Sequence, residues 1–393
     1  MRIKGFKFAS ARSFQKKWER DDVALIYSER EAALAGMFTR NRFKAAPVEL
    51  SMKRVERGRC RAVVVNAGCA NACTGEEGLA DAEATAEAAA SALGVSPEDV
   101  LVASTGVIGA RLNMKGMRDA MPVLAQGLSP DDLSKVSRAI MTTDTVPKLA
   151  FEETDVGGVQ CTVAGVTKGA GMIRPNMATM LAFIMTDFKA APELLAEMLR
   201  KAVDVSFHRV NIDGDTSTND MVLLMANGAA GGPLLERGTT ACRNAADAVT
   251  KVCADLAKQM VMDGEGATKF IDLRIKGAKN ELEARQAAHL ISESKLVKTA
   301  FFGEDANWGR ILAALGRSEA SFSPDEVDLF VGDICLVRNG KYQGKAAETD
   351  ATKVLKNRAF AVTLDLKAGV AEYNVFTSDL SIDYVKINAN YRT

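Results

Sequence analysis

The sequence has few of the features that mark secreted, metal-binding or nucleic-acid-binding proteins. Only two of its 393 residues are histidine, and its seven cysteines are an odd number without a CxxC pair. We therefore expect reduced thiols, and a metal site at Cys69 and Cys73 is disfavoured because no histidine pair lies near them in the sequence. Lys and Arg number 50, as do Asp and Glu, so no net charge favours nucleic acid or an anionic membrane.

Long apolar runs are also missing. None reaches the length of about 18 residues that a membrane-spanning helix needs, and residues 1 to 22 lack the apolar segment of a signal peptide. Hydrophobic residues make up 47% and charged residues 25%, as in an ordinary globular protein. We therefore expect a cytoplasmic protein with one large domain or two to three smaller ones.

One segment organises the rest of the chain. Residues 168 to 187 read KGAGMIRPNMATMLAFIMTD. The first half is typical of a loop, because Gly169 and Gly171 allow close backbone approach and Pro175 cannot continue a helix. The second half, from Met177 to Met185, is almost wholly apolar. This part indicates a buried strand, although periodicity alone does not exclude a buried helix.

The hydroxyl group within that apolar part is that of Thr179, which directly follows Ala178. One interpretation is a threonine chosen for its fit to a pleated strand. The other is that the protein cleaves the bond between the two residues itself, by attack of the hydroxyl on the preceding carbonyl and hydrolysis of the resulting ester. The new α-amine, with a pKa of about 7.7 to 8.0, could then act as base for its own hydroxyl. The scarcity of histidine makes this second interpretation attractive.

Three further motifs carry polar groups in positions suited to chemistry. STGVIG, residues 104 to 109, ends a buried-strand pattern and suits either an oxyanion site or an ordinary strand-to-helix turn. MTTDTVPK, residues 141 to 148, is typical of a capped turn. DGEGATK, residues 263 to 269, places Glu265 between two glycines, where a carboxylate could pair with an amine or be solvated. The acidic run at 206 to 220 lacks the spacing of an EF-hand.

The remaining pattern is that of alternating helices and strands. We expect helices near 79–93, 114–126, 130–141, 239–262 and 279–299. Residues 326 to 387 alternate with period two, which predicts an antiparallel sheet. The segment that ends at Pro47 is typical of an edge strand.

In their order and spacing, the motifs resemble those of one family over nearly the whole chain. STGVIG, MTTDT, KGAGMI-PNMATM, DGDTSTND, GEGATK and the terminal Asn-Ala-x-Tyr resemble the ornithine acetyltransferase (glutamate N-acetyltransferase) family of arginine biosynthesis. Cys69 and His208 depart from that family, which usually carries asparagine at both positions. We interpret His208 as a hydrogen-bonded structural residue.

The resemblance implies an α/β fold, a layered sandwich of sheets between helices. It also implies self-cleavage between Ala178 and Thr179 into an alpha chain, 1–178, and a beta chain, 179–393. The two chains would form one functional unit, because the sheet patterns run through the junction. A heterotetramer of two alpha and two beta chains is the assembly that we expect.

The resemblance further implies how acetyl is transferred. Thr179 would take acetyl from N-acetyl-ornithine and pass it to glutamate, while Thr105 and Gly106 stabilise the oxyanion. The implied substrate-binding positions are Thr142, Lys168, Thr179, Glu265, Asn388 and Thr393. No metal and no cofactor is implied, and whether acetyl-CoA is a second acetyl donor stays open.

Two other functions stay open at this point. A sister enzyme of the same architecture would hydrolyse N-terminal peptides and would not transfer acetyl. A member of a different class would be an uncleaved small-molecule binding protein that has kept the scaffold.

Overall fold

The computed structural model describes residues 2–174 and 180–390, and this part of the chain has a mixed α/β fold with two sheets among helices, as expected. The chain forms two compact units. Unit 1 comprises Met1–His208 and Asp215–Met260, and unit 2 comprises Arg209–Gly214 and Val261–Thr393. These boundaries differ from the bond at which cleavage is predicted.

Residues 2–174 and 180–390 form fifteen strands. In chain order they are β1 (Phe6–Ala11), β2 (Val23–Phe38), β3 (Arg59–Cys69), β4 (Val100–Val107), β5 (Lys148–Asp155), β6 (Gln160–Lys168), β7 (Leu181–Thr186), β8 (Val210–Asn211), β9 (Met221–Ala226), β10 (Phe270–Ala278), β11 (Asp328–Val331), β12 (Ile334–Arg338), β13 (Lys341–Tyr342), β14 (Ala359–Asp365) and β15 (Ala371–Ser378). The prediction of a buried strand after Thr179 is confirmed by β7, in which all six residues are buried.

The same part of the chain forms eleven α-helices. They are α1 (Ala46–Val55), α2 (Gly75–Leu93), α3 (Met114–Gln126), α4 (Leu133–Ala139), α5 (Pro192–Asp204), α6 (Thr240–Met262), α7 (Glu281–Ser292), α8 (Lys295–Phe302), α9 (Trp308–Leu315), α10 (Lys345–Leu355) and α11 (Ile382–Ala389). Across residues 2–174 and 180–390, every helix is too short or too polar to cross a membrane.

The sheet of unit 1 has the order β4-β3-β2-β9-β7-β6-β5, with β1 paired to β2. The pairs β3–β4 and β7–β9 are parallel, and the other neighbours are antiparallel. Strands β6 and β7 are adjacent, with Lys168 opposite Leu181. The strands that precede and follow the predicted cleavage bond in the sequence are therefore neighbours in one sheet.

Both faces of this sheet are covered, which explains why its strands have such continuous apolar runs. Successive residues of β3 point to opposite faces, so Val63 and Val65 join one core cluster while Val64 joins the other. Leu133 of α4 belongs to the first cluster and Met117 of α3 to the second. Each fully buried side chain of this size contributes about 1.5–3 kcal/mol, so the layered core holds the strand ends in place.

The sheet of unit 2 has the order β13-β12-β11-β14-β10-β15-β8. The prediction of an antiparallel sheet over 326 to 387 is only partly right. β14 lies parallel to β10, and β15 lies parallel to β8, while α10 and α11 interrupt the run of strands. Period-two alternation reports that a segment is a half-buried strand, but it carries no information about which distant strand becomes its neighbour.

Two local predictions also need correction. The helix expected over 279–299 is two helices, because Ser294 lies between them and its Oγ accepts a 3.4 Å hydrogen bond from the Val297 N–H of α8. Pro47 does not end an edge strand. It lies in the first turn of α1, where the missing N–H of a proline would have no helical partner anyway.

Candidate active site

In unit 1, Thr105 and Gly106 lie in β4 rather than in a turn that follows it. Their strand is parallel to β3, and Thr105 pairs with Ala67 while Gly106 pairs with Gly68. The register shifts directly afterwards, at Cys69. Such an irregularity bends a strand and turns its side chains and N–H groups in a new direction. Residues 104–107 of STGVIG thus belong to the strand, and the turn toward the next helix begins only at residues 108–109.

Only glycine fits at position 106. The backbone of Gly106 has a φ of 136°, and a Cβ atom added there would lie 2.3 Å from the carbonyl carbon of Gly68. Any side chain would therefore push β4 away from β3. The close approach of the two strands explains the glycine at position 106, whereas a Cβ atom on Gly68 would meet Cγ of Lys16 at 2.9 Å.

Lys168, the last residue of β6, connects the predicted residues of unit 1. Its ammonium group donates hydrogen bonds to Oγ1 of Thr142, at 2.7 Å, and to Oγ1 of Thr105, at 3.2 Å. The lysine is only 3% exposed. Three residues that are distant in the sequence thus meet at a lysine that is closed off from solvent.

Asp144 is a central residue of this cluster that sequence reasoning missed. Its Oδ1 accepts from the Lys148 ammonium group at 2.6 Å and from the Gly169 N–H at 2.8 Å, and its Oδ2 accepts from the Thr142 N–H at 3.0 Å. The Lys168 ammonium group lies 3.9 Å from Oδ2. The signal was present in the sequence, since Asp144 stands two residues after Thr142 in the MTTDT motif.

The charges of this cluster are consistent with an ionised carboxylate. Burial by itself would raise the pKa of Asp144, but the ammonium groups of Lys168 and Lys148 and the Gly169 N–H hold that pKa well below its usual range. Asp144 therefore stays negatively charged at neutral pH. It supplies the negative charge that two buried lysines require.

Asp220, one residue before β9, is a second buried carboxyl group. Its Oδ1 accepts a 3.0 Å hydrogen bond from the N–H of Met180. Burial raises the pKa of Asp220 well above its usual value, against the opposing effects of the Met180 N–H and the Thr39 hydroxyl. Met180 follows Thr179 in the sequence. Ala178 and Thr179 lie outside the described residues, so the cleavage site and the nucleophile stay predictions.

The two departures from the family pattern have plain structural accounts. Nδ1 of His208 lies 2.9 Å from Oδ1 of Asp204, which confirms the prediction of a hydrogen-bonded structural histidine. Cys69 is buried, and its thiol donates to the carbonyl oxygen of Ala110 at 3.2 Å. Burial raises the pKa of Cys69, so this thiol is not activated as a nucleophile.

In unit 2, the structure brings together Glu265 and Asn388. Nδ2 of Asn388 donates to Oε2 of Glu265 at 2.7 Å. The glycine after Glu265 is required by packing, because a Cβ atom on Gly266 would lie 2.5 Å from the backbone nitrogen of Tyr384 in α11. Ser381, the N-cap of that helix, also donates to the carbonyl oxygen of Gly266 at 2.6 Å. The prediction for Thr393 falls outside the described residues.

Each cluster has its own chemical capacity. In unit 1, an ammonium group and two threonine hydroxyls lie together next to Gly106, and such donors suit the stabilisation of an oxyanion or a carboxylate. In unit 2, a carboxylate and a carboxamide suit an amine. No three His, Cys, Asp or Glu side chains are grouped as a metal site in residues 2–174 and 180–390, and the expectation that no metal is needed stays a prediction.

Comparison with known proteins agrees with the motif pattern. A family model described as the ArgJ family matches residues 7–393. Curated relatives named arginine biosynthesis bifunctional protein ArgJ are 50% identical in Geobacter sulfurreducens and 49% identical in Desulfotalea psychrophila, each over 100% of both chains. A crystal structure of the protein of that name from Bacillus halodurans is 38% identical, with a TM-score of 0.51, and covers 53% of this chain and 98% of that one.

Proposed function

Because this chain belongs to the ArgJ family, we propose that it transfers acetyl from N2-acetyl-L-ornithine to L-glutamate in arginine biosynthesis. It is a glutamate N-acetyltransferase that works through an acetyl-threonine intermediate. The observation that carries this function is the buried donor cluster of Thr105, Thr142 and Lys168 in a chain that matches the family over nearly its whole length.

The reaction proceeds in two displacements. Oγ of Thr179 attacks the acetyl carbonyl carbon, and its proton passes to the α-amine of the same residue. The Thr105 hydroxyl and the Gly106 N–H stabilise the tetrahedral oxyanion. The carbon–nitrogen bond of N-acetyl-ornithine then breaks, and ornithine leaves with the proton. In the second displacement the glutamate amine attacks the acetyl ester, which releases N-acetyl-glutamate and regenerates Thr179.

Self-cleavage prepares the nucleophile. The length of the solved relative supports this step. A match over 53% of this sequence covers 98% of the relative's chain. That chain is about half as long as this one, as cleavage at Ala178-Thr179 would produce. In this chain the strands on either side of the bond, β6 and β7, are hydrogen-bonded neighbours, so the fragments would stay joined after cleavage. The assembly that we propose is a heterotetramer of two alpha and two beta chains in the cytoplasm.

The carboxylate and amine groups of the substrates have partners of opposite charge among the predicted residues. Lys168 is a donor for a substrate carboxylate, with Thr142 beside it, and Glu265 with Asn388 is a partner for the α-amino group or the side-chain amine of ornithine. The C-terminal Thr393 completes the substrate-binding set. The relatives are named bifunctional, which supports testing acetyl-CoA as a second acetyl donor alongside N-acetyl-ornithine.

The intact mass of the purified protein under denaturing conditions, followed by an acetyl-transfer assay, tests this function. We expect two fragments that meet at Ala178-Thr179 and transfer of acetyl from N-acetyl-ornithine to glutamate. Thr179→Ala should remain one chain of 42.0 kDa and transfer no acetyl. A cleaved and active Thr179→Ala variant would contradict the nucleophile.

The other two functions give different results in the same experiment. A cleaved wild-type protein that hydrolyses N-terminal peptide amides but does not transfer acetyl would identify the sister aminopeptidase. A single uncleaved wild-type chain that binds ornithine would identify a binding protein.

A further inference from the structure

The hydrogen bonds of Lys168 determine the direction of two hydroxyl groups. A lysine ammonium group can only donate. In both of its contacts, at 3.2 Å to Thr105 and 2.7 Å to Thr142, the threonine oxygen must therefore be the acceptor. A hydroxyl whose oxygen accepts from Lys168 directs its own hydrogen elsewhere. Both threonines thus become donors toward whatever lies on the side away from the ammonium group.

Asp144 ties the two chain segments around Lys168 to one carboxylate. The N–H of Gly169, the residue after the lysine, and the N–H of Thr142 both donate to it, at 2.8 and 3.0 Å. The side chains of Asp144 and Lys168 are 0% and 3% exposed, so water does not compete for these bonds. Asp144 binds the backbone N–H directly after Lys168 and lies close to the Lys168 ammonium group. The ammonium group is therefore kept near Thr105.

We propose that Lys168 is a positioning residue for the Thr105 hydroxyl, directing its hydrogen toward the oxyanion, and that Asp144 holds Lys168 for this task. The inference rests on the proposed acetyl transfer and deepens it. It assigns to Lys168 an effect on the transition state, in addition to the substrate carboxylate binding that the family resemblance implies. The same ammonium group acts on Thr142, whose hydroxyl is presented to the substrate as a donor.

The two roles of Lys168 make different kinetic predictions. A residue that binds substrate and transition state equally changes KM and acts independently of Thr105. A residue that acts through Thr105 changes kcat, and its effect disappears when the Thr105 hydroxyl is already gone. A double-mutant cycle between the two positions therefore distinguishes the roles.

The experiment measures kcat and KM for Lys168→Met, Thr105→Ala and the double variant, per cleaved molecule as counted by intact mass. We expect each single substitution to lower kcat about 100-fold, the size typical of a lost oxyanion donor. The double variant should fall less than about 5-fold below Thr105→Ala alone. Losses that multiply to about 10,000-fold, or a loss confined to KM, would overturn the proposal.

Lys148→Met is the matched control, because Lys148 is the other lysine bonded to the Asp144 carboxylate. It removes a buried ion pair with the other oxygen of that carboxylate, Oδ1, and keeps the Lys168–Thr105 contact. Its effect on kcat should multiply with that of Thr105→Ala. If it shows the same loss of additivity as Lys168→Met, the effect belongs to the ion pair and not to the hydroxyl, and the proposal fails.

A milder pair keeps the test decisive. Lys168→Gln retains a neutral donor and Thr105→Ser retains a hydroxyl, so coupling in the same direction is expected with smaller losses. Multiplicative effects in this pair would also contradict the proposal. Failure of the proposed function is distinguishable, because the wild-type protein would then fail to transfer acetyl at all. A wild-type protein that transfers acetyl, with independent effects at positions 168 and 105, refutes the inference alone.

Discussion

In unit 1 three residues predicted for chemistry meet and Lys168 at their centre is closed off from water, whereas in unit 2 two predicted substrate ligands meet between a loop and a helix without a buried side chain. Lys168 and Asp144 are nearly inaccessible. In unit 2, Glu265 is buried but its partner Asn388 is exposed, and helix α11, which carries Asn388, has no buried side chain. The comparison separates groups that must hold one geometry from groups that can adapt to a ligand.

The physical basis of this difference is the cost of burying charge. Removing one partner of a buried ion pair leaves the other partner without compensation, and such losses are about 3–5 kcal/mol. A hydrogen bond at an exposed side chain contributes much less, since water replaces the lost partner. Substitutions in the cluster of unit 1 should therefore affect both stability and catalysis, and those at α11 should affect binding alone.

Gly106→Ala should have the largest effect. Its Cβ atom would clash with the carbonyl carbon of Gly68 at 2.3 Å and displace the N–H that we propose as an oxyanion donor, so we expect kcat to fall at least about 100-fold. Gly109→Ala is the control, since Gly109 has a φ of 84° with no atom within 4 Å of an added Cβ. It should keep kcat and lose only about 1–2 kcal/mol from backbone strain. Equal kcat values for the two variants would contradict this account of position 106.

Asp144→Ala should have the second largest effect, a loss of about 3–5 kcal/mol in the free energy of unfolding. Urea unfolding of the purified variant at neutral pH measures this loss. The reason is that the side-chain amines of Lys148 and Lys168 would be left in a buried site without the carboxylate that pairs with them. A loss no larger than that of an exposed substitution would show that the cluster is not a source of stability.

The pH dependence of Asp144→Asn checks the charge. The pKa of Asp144 is lower in the folded protein than in the unfolded chain. The stability that its ionised carboxylate contributes is therefore fully present above the unfolded pKa of about 3.9. The contribution is lost as pH falls through the folded value. The stability difference between wild type and Asp144→Asn should therefore be constant from pH 7 to 5 and narrow only below about pH 4. A difference that changes between pH 7 and 5 would contradict an ionised Asp144.

Asp220→Asn should have a moderate effect of opposite sign. The pKa of Asp220 is raised by burial, so the unfolded chain ionises first as pH rises above about 3.9 and the wild type loses stability until the folded pKa is passed. Asparagine keeps an acceptor for the Met180 N–H and does not titrate. In that window, the free energy of unfolding of the variant should rise relative to that of the wild type by up to about 1.4 kcal/mol per pH unit. Equal pH slopes for the two proteins in urea unfolding would refute a raised pKa.

Asn388→Ala should have the smallest effect. Loss of its 2.7 Å bond to Glu265 leaves the carboxylate less well oriented, so we expect KM for the amine-bearing substrate to rise about 10-fold or less. The melting temperature should stay unchanged, since exposed substitutions alter stability by about 0.5 kcal/mol or less. Asn390→Ala, on the same helix end, is the control and should leave KM unchanged. A large loss of stability in Asn388→Ala would show that the two clusters do not differ as described.

Much of the secondary structure and part of the site could be predicted from the sequence. The helix Met114–Gln126 has the predicted bounds, and the helix predicted over 239–262 begins one residue later, at Thr240. Thr105, Thr142 and Lys168 were predicted from the family resemblance of their motifs, and their side chains meet. Asp144 was missed because an aspartate in a hydroxyl-rich turn is usually a local cap, and only its neighbours in space show it to be a buried counter-ion.

The sequence by itself determined the elements and their order, because apolar periodicity, caps and turn residues act over a few neighbouring positions. It also determined the family, since motif order is written along the chain. Only the tertiary structure decided which distant groups touch. The Lys168 contact with Thr105 spans 63 positions. Contacts of this kind depend on which strands become neighbours and in which register, and that choice is made by the packing of the whole layered core.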